Sequence, residues 1–524
     1  MRLLASLLFA LFVTQAVAQS PGGFVQGQTL NAVDLNNAFS KKQDFSPTLN
    51  SRLISVMDYC TATQVAIDIT SCAQAALNAA AASNVSYGGK LVFFPAQFSP
   101  YVLLGTLTIS GSFVGIIGEG AQTSYIQCAN GSADCVQLGQ VSGSATRDQS
   151  IRDMGIVGSS KTGGSIVHIF NTFNVLIQRN EFDNACRGID IETKTNNITI
   201  RDTNIAANQS CTDYGIYWHA PGDGSSRADV LVLNNVVISG TYATGGTGIQ
   251  WQGLANTLLC SHLRILTMQY GIRIQNPTNS VSNYPAFMNC FDMELEGFKS
   301  RALSIEAGNE FKITSSDMTN SSGASGQGSA DDYAVFIGAD ASFSITRGVQ
   351  ITNSRIGASR NSGLQNNARG TQLSNNQFYS TSLEGSNLHP VIENTATSID
   401  TMITNILCED FGGAALASNC IHNDSGASYL IVNGIDSRFV NGSAITDAGS
   451  TNVSYRAILE PTGQIWSAET ITTVANLPGC NAVREGARYY VTDQNTAVSY
   501  RGAVTGLGTT RQAVLCSNSS WIQD

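Results

Sequence analysis

A short word in which apolar and polar positions alternate returns along the middle of the chain. It reads GIDI at 188, GIYW at 215, GIQW at 248, GIRI at 271, ALSI at 302 and AVFI at 334. Aligned on its apolar positions it gives Val167/Ile169, Ile189/Ile191, Ile216/Trp218, Ile249/Trp251, Ile272/Ile274, Leu303/Ile305 and Val335/Ile337. Weaker copies follow near Leu364, Ile392, Ile421 and Ile445. The copies are separated by about 22 to 33 residues, steady within the word and irregular between words, as in a solenoid whose insertions go into its turns. A period of two predicts a strand with one face inward. The intervening stretches, such as FNVLIQRNEF (173–182), NNITIRDTNI (196–205) and ADVLVLNNVVISG (228–240), alternate likewise and supply the other sides of each coil. The pattern predicts an all-β, right-handed parallel β-helix. Ile216, Trp218 and Trp251 belong to its interior ladder, which coils can bury only by stacking on one another.

Composition agrees. Charged residues are 13% of the chain, about half the usual share, and Gly, Ser, Thr and Asn are abundant while Pro is scarce. The net charge of −10, with 28 scattered Lys and Arg, argues against nucleic acid as a partner. The opening MRLLASLLFALFVTQAVAQS has one basic residue, a short apolar run and a small-residue Ala16-Val17-Ala18 site, the pattern of a cleaved secretory signal at 1–18. That run is too short to span a bilayer, so no membrane insertion is expected. Twelve cysteines behind such a signal predict disulfides. In chain order they fall into near neighbours: Cys60 with Cys72, Cys128 with Cys135, Cys186 with Cys211, Cys260 with Cys290, Cys408 with Cys420, and Cys480 with Cys516. With no CxxC and no zinc-spaced Cys/His cluster, neither a metal nor another cofactor is expected.

Between the apolar positions lies an outward stripe: His168 and Phe170, Asp190 and Glu192, Tyr217 and His219, Gln250 and Gln252, Arg273 and Gln275, Ser304 and Glu306. Carbohydrate grooves use such a mixture to meet hydroxyls and sugar faces. Asp190 and Glu192, two residues apart on one strand face, have Cα atoms about 6.6 Å apart, a separation that overlaps the acid–base pair of an inverting glycosidase. Tyr217 and His219, one coil above, complete the candidate catalytic set. Arg273, Gln250, Gln252, Gln275 and Glu306 are the candidate substrate-binding residues, with Glu306 about four coils from Glu192. The same residues also allow β-elimination, with Tyr217 or His219 as base and Arg273 neutralising a uronate. Asp331-Asp332, after a Gly/Ser-rich stretch at 321–330, reads as a solvated insertion.

Three stretches carry family resemblances. SVMDYCTATQVAIDITSCAQAALNAAAASN and the following GGKLVFFPAQFSPYVLLGTLTISGSFVGIIGEGAQTSYIQC resemble the opening of pectate-lyase-like β-helix domains, with an alanine-rich helix at about 71–83 that caps the solenoid's open end. GGFVQGQTLNAVDLNNAFSKKQDF resembles the leader of phage tailspikes and tail fibres. The ending from Val474 resembles a small β module of phage tail proteins. The implied organisation is a leader at 19–50, the β-helix domain at 51–460 and a small C-terminal β module at 461–524. The polygalacturonase motif set is absent. The resemblance implies a tailspike-like depolymerase acting on a polysaccharide as a homotrimer. The signal and cysteines depart from virion proteins and point to a secreted, extracellular or periplasmic product. A non-catalytic glycan-binding adhesin or structural spike remains the alternative.

Overall fold

The computed structural model describes residues 52–523 except 84–88, 141–142, 160, 208–210, 212–213, 221–226, 241–245, 277–284, 321–331, 339–345, 384–387, 410–416, 449–452, 460–464, 467–470, 473, 478–479, 481–487, 495–502, 509 and 519. The expected signal, the leader, the Gly/Ser-rich stretch and Asp331 lie outside the described residues.

From Ser55 to Trp466 the chain winds into a right-handed parallel β-helix, its strands joined in one 35-stranded sheet. Each coil has three faces. The first carries the repeated word, in strands Ser165–Ile169, Arg187–Ile191, Tyr214–His219 and Thr247–Gln252. Its inward positions form one file, Leu107–Val136–Val167–Ile189–Ile216–Ile249–Ile272–Leu303–Val335–Leu364–Ile392–Ile421–Ile445, each in register with the next. Nearly all of this file is fully buried, and each aliphatic side chain so placed stabilises the coil by about 1.5–3 kcal/mol. Trp218 and Trp251, both 0% exposed, stack at 4.9 Å in the interior, and the indole Nε1 of Trp251 donates to the Ala255 carbonyl at 2.7 Å.

The glycine that opens the word has a packing reason. A Cβ at Gly188 would stand 2.4 Å from both the Gly215 carbonyl oxygen and Ile205 Cγ2; one at Gly215 would stand 2.3 Å from Ile238 Cγ2. The first face here presses on the isoleucines of the third, and no side chain fits between them.

The second and third faces are continuous. Thr195–Ala207 and Ala228–Gly240 each run through both, turning at a single residue. The turning residues Asp202, Asn235, His262, Asp292, Ser315, Asn353, Asn375 and Asn405 all have φ between 51° and 55°. Short polar side chains tolerate this left-handed conformation and bond to their neighbours above and below. Asn235 donates to Asp202 at 2.9 Å and Asn405 to Asn375 at 3.1 Å. Inside the helix Asn394 donates to Asn423 at 2.9 Å and Asn366 to Asn394 at 3.0 Å, so these buried amides satisfy one another.

At the N-terminal end, helix α1 (Ala62–Ile67) begins with a Thr61/Gln64 capping box, and α2 (Thr70–Ala82) turns Cys72, Ala73, Ala76, Leu77 and Ala80 inward. The expected capping helix therefore exists, one residue earlier than read. Gln74 fastens it to the first-face strand by bonding both the nitrogen and the carbonyl of Thr108. Near the C-terminus, Ile471–Thr472, Arg488–Gln494, Thr510–Ser517 and Ser520–Gln523 form a separate four-stranded sheet.

All twelve cysteines are bonded, in the six nearest-neighbour pairs expected from their order. Cys260 and Cys290 face each other in register on adjacent coils, with Cα atoms 4.5 Å apart. Asp332 is no part of a wet insertion: it is fully buried and accepts a hydrogen bond from Asn320. Among the described residues no helix is long and apolar enough to cross a membrane.

Candidate active-site cleft

On the outward side of the first face, His168, Asp190, Tyr217, Gln250, Arg273 and Ser304 stand in one file, each in register with the next. Beside it His219, Gln252 and Gln275 form a second file. The stripe expected from alternation therefore exists, but it is not uniformly wet. Asp190 is 4% exposed, Gln250 2%, Ser304 0% and Glu306 8%, because the long polar side chains of one coil cover those of the next.

Two aspartate–histidine pairs meet at one carboxylate. His168 Nδ1 lies 2.8 Å from Asp134 Oδ2, and its Nε2 lies 3.4 Å from Glu192 Oε1. His219 Nε2 lies 2.9 Å from Asp190 Oδ1 and 3.9 Å from the same Glu192 oxygen. The second Asp190 oxygen is 3.4 Å from Arg187 Nη1. Glu192 has 40% of its side chain exposed, against 6% for Asp190, so it is the carboxylate of this group that a ligand can reach.

Burial works against a charge on His168, yet the bonds to Asp134 and Glu192 outweigh it and raise its pKa to about 10. Burial likewise opposes ionisation of Asp134, but bonds from His168, Gln137 and the Ser165 amide hold its carboxyl well below the usual range. Glu192 is lowered too, chiefly by His168. The site is thus an imidazolium between two carboxylates, with the His219 ring beside it.

Tyr217 is differently placed from its expected role. Its hydroxyl donates to Gln252 Oε1 at 3.0 Å, and burial, with the neighbouring Tyr214 and Asp190, pushes its pKa up to about 12. Its ring stacks between Tyr214 (4.6 Å) and His219 (3.9 Å) and so fixes the plane of that imidazole. Arg273 is also engaged. It makes a two-point pair with Glu306 at 2.8 and 3.3 Å and lies over the Tyr270 ring at 4.5 Å. Glu306 further accepts from Gln275 at 2.6 Å and Ser304 at 2.9 Å, with Arg301 at 3.4 Å. Burial opposes the Glu306 charge, but Arg273 and these donors hold its pKa down. This node is a closed network in the groove wall, four coils from Glu192 as expected. Gln250 and Gln252 bridge toward it through Gln275.

His168, Phe170 and Glu192 line a cleft of about 370 Å³ with Gln137, Asn171, Thr193 and Lys194. Sequence reading missed Asp134 and Arg187 and assigned no role to His168. Asp134 lies in the turn before Val136, outside any alternating strand. The Ser-Ala-Asp-Cys turn, opposite a histidine one coil on, was the signal available.

The acid pair also differs from expectation. Ligand atoms of His168, Asp190 and Glu192 all lie within 4.8 Å of one another, so the two carboxylates stand closer than the ~6.5–9.5 Å that leaves room for water in an inverting pair. Among the described residues this is the one His/Asp/Glu group compact enough to hold a metal ion. A cation there would have to displace the proton of His168 and compete with Arg187 and His219 for Asp190.

No protein-family model and no curated protein matches the chain. Solved structures do. Tailspike protein 3 of bacteriophage CBA120 superposes with a TM-score of 0.59 at 12% identity, over 96% of this chain and 72% of that one. DFA-IIIase from Arthrobacter chlorophenolicus A6, in complex with GF2, superposes with a TM-score of 0.50 at 12% identity, over 73% of this chain and 94% of that one. The chain has the tailspike-like, pectate-lyase-like β-helix fold. At these identities the likeness concerns the fold.

Proposed function

We propose that the protein is a carbohydrate-active enzyme that hydrolyses a polysaccharide lying along the first face, with Glu192 as its catalytic carboxylate. The observation that carries this reading is the convergence of the Asp134–His168 and Asp190–His219 pairs on one accessible carboxylate in a cleft. His168 keeps Glu192 ionised. Glu192 attacks the anomeric carbon while protonated His219, oriented by Asp190 and Tyr217, gives its proton to the departing glycosidic oxygen. In a second step water attacks the glycosyl–Glu192 ester, and neutral His219 takes the water's proton. Attack by Glu192 and then by water inverts the anomeric carbon twice, so the product keeps its anomeric configuration. Phe170 and Lys194 offer an apolar surface and a cation to the bound sugar.

Export and assembly as a homotrimer belong to the same proposal. Six disulfides persist only in an oxidising compartment, which supports export. Sedimentation of the purified protein tests the trimer.

The deciding experiment incubates the wild type and Glu192→Gln with a panel of bacterial and plant polysaccharides. New reducing ends from the wild type alone are expected. Unsaturated, ultraviolet-absorbing products would replace hydrolysis by elimination. Retention of a polysaccharide without cleavage by either protein would make the chain an adhesin.

A further inference from the structure

A larger cleft, about 590 Å³, lies on the third face and its corner with the second, away from Glu192. Two outward files run along it, and Glu294, Asp317 and Arg355 of one and Glu296, Thr319 and Tyr379 of the other line it. Glu294, Asp317, Arg355 and Gln377 are in register in one, and Glu296, Thr319, Gly357, Tyr379 and Glu409 in the other. Gly357 interrupts the second file. A Cβ there would meet the Tyr379 carbonyl oxygen at 1.9 Å, so the position stays bare and Tyr379 packs directly against it. Tyr379 reaches across it to Thr319, oxygen to oxygen 2.6 Å, and lies 3.4 Å from Asp317. Arg355 covers the tyrosine ring at 4.6 Å and pairs with Asp317 at 3.1 Å. The result is a preformed ring of hydroxyl, carboxylate, guanidinium and aromatic groups, half exposed, above buried Met293 and Leu295.

We propose that this cleft is a second, non-catalytic glycan-binding site that takes a neutral stretch of polysaccharide. Arg264 and Arg355 pair with Glu294 and Asp317, and the remaining Asp292 and Glu296 leave the cleft net negative, which disfavours uronates and other polyanions. These acids are too far apart to chelate, since the sole compact donor group among the described residues is the one at His168. Carboxylates spread along a groove accept hydroxyl pairs from successive rings instead. From Glu296 to Tyr379 is three coils, roughly 14 Å, enough for several sugar units. The site involves no residue of the Glu192 cleft, so it stands whether or not hydrolysis occurs there.

Affinity electrophoresis of the full chain through gels containing dextran, soluble starch, galactomannan or polygalacturonate tests it. At least one neutral polymer should retard the wild type. The Asp317→Asn/Tyr379→Ala double variant should lose about tenfold or more in affinity for it. Glu296→Ala, at an exposed position where folding is not at risk, should lose severalfold. Cleavage of short oligosaccharides should be unchanged in both, which separates this site from the catalytic one. Failure of every neutral polymer to retard the chain, or full affinity in both variants, overturns the proposal. Absence of turnover in the wild type would sink the Glu192 reading alone.

Discussion

The clefts at Glu192 and at Tyr379 are built on different faces of the same coil and settle their charges in opposite ways. At Glu192 the ions lie deep: His168 and Asp134 each keep 17% of their side chains exposed and Asp190 6%, and Glu192, at 40%, is the most open of the group. At Tyr379 the pairs sit in water, with Arg355 and Asp317 at 54% and 36% exposure and Arg264 and Glu294 at 50% and 39%. Deep charges are costly to unpair and hold one group at a chosen protonation state, as chemistry requires. Wet charges contribute little to stability and remain free to exchange water for a ligand.

That contrast can be broken at several points. The largest effect belongs to Glu192→Gln, which should lower turnover by about 10²–10⁴-fold while the circular-dichroism spectrum stays that of the wild type; residual activity near wild type would remove the site. Next is His168→Gln, which leaves Asp134 buried without its charged partner and should cost about 2–3 kcal/mol in denaturant unfolding. A third test is the pH profile. Because the folded pKa of His168 is raised to about 10 from an ordinary 6.5, its contribution to stability is complete below about pH 6.5 and is lost as pH rises through about 10. The wild type should therefore lose melting temperature across that window and His168→Gln should lose less; parallel curves would show that the imidazolium is not held. The smallest effect is Arg355→Ala, expected to cost no more than about 1 kcal/mol while weakening glycan retention. A larger loss of stability would move the Tyr379 cleft into the structural class of the first.

The fold was legible because one signal recurs. Ile216 and Trp218 obey the same in–out rule as Ile249 and Trp251, and the coil length places Cys260 beside Cys290. Alternation also told which residues leave the interior, and His168, Asp190, Tyr217 and Gln250 do stand in one file. What it could not tell was what covers them. Strand geometry separates Asp190 and Glu192 by a Cα spacing, but His219 on the next coil and Arg187 on the same strand draw the Asp190 carboxylate inward. Arg273 looked free to bind a uronate because its partner Glu306 is 33 residues away in sequence. Asp134 was harder to read for a different reason: its position follows from a turn, and turns vary from coil to coil. The Tyr379 cleft escaped notice because the seat of Tyr379 depends on Gly357, a residue whose meaning appears only when the coil above is in place.

The one-residue corner between the second and third faces leaves the chain no slack on that side. Asp202, Asn235, His262 and Asp292 each make the turn alone, so the distance in sequence from one face to the next is fixed. The first face meets its neighbours less uniformly: Ala255–Gln275 and Ala286–Ile305 run into it from the third face as unbroken strands, while other coils interrupt the chain there. Strand Tyr214–His219 is separated by several residues from Ala207 before it and from Ala228 after it, whereas the next first-face strand ends only three residues before Ala255. Connection length thus varies from coil to coil around the first face, while the second-to-third corner beside the Tyr379 cleft keeps its single residue. Divergence among descendants of this chain should accumulate as loops that reshape what the first face can hold, while the wall of the third stays constant.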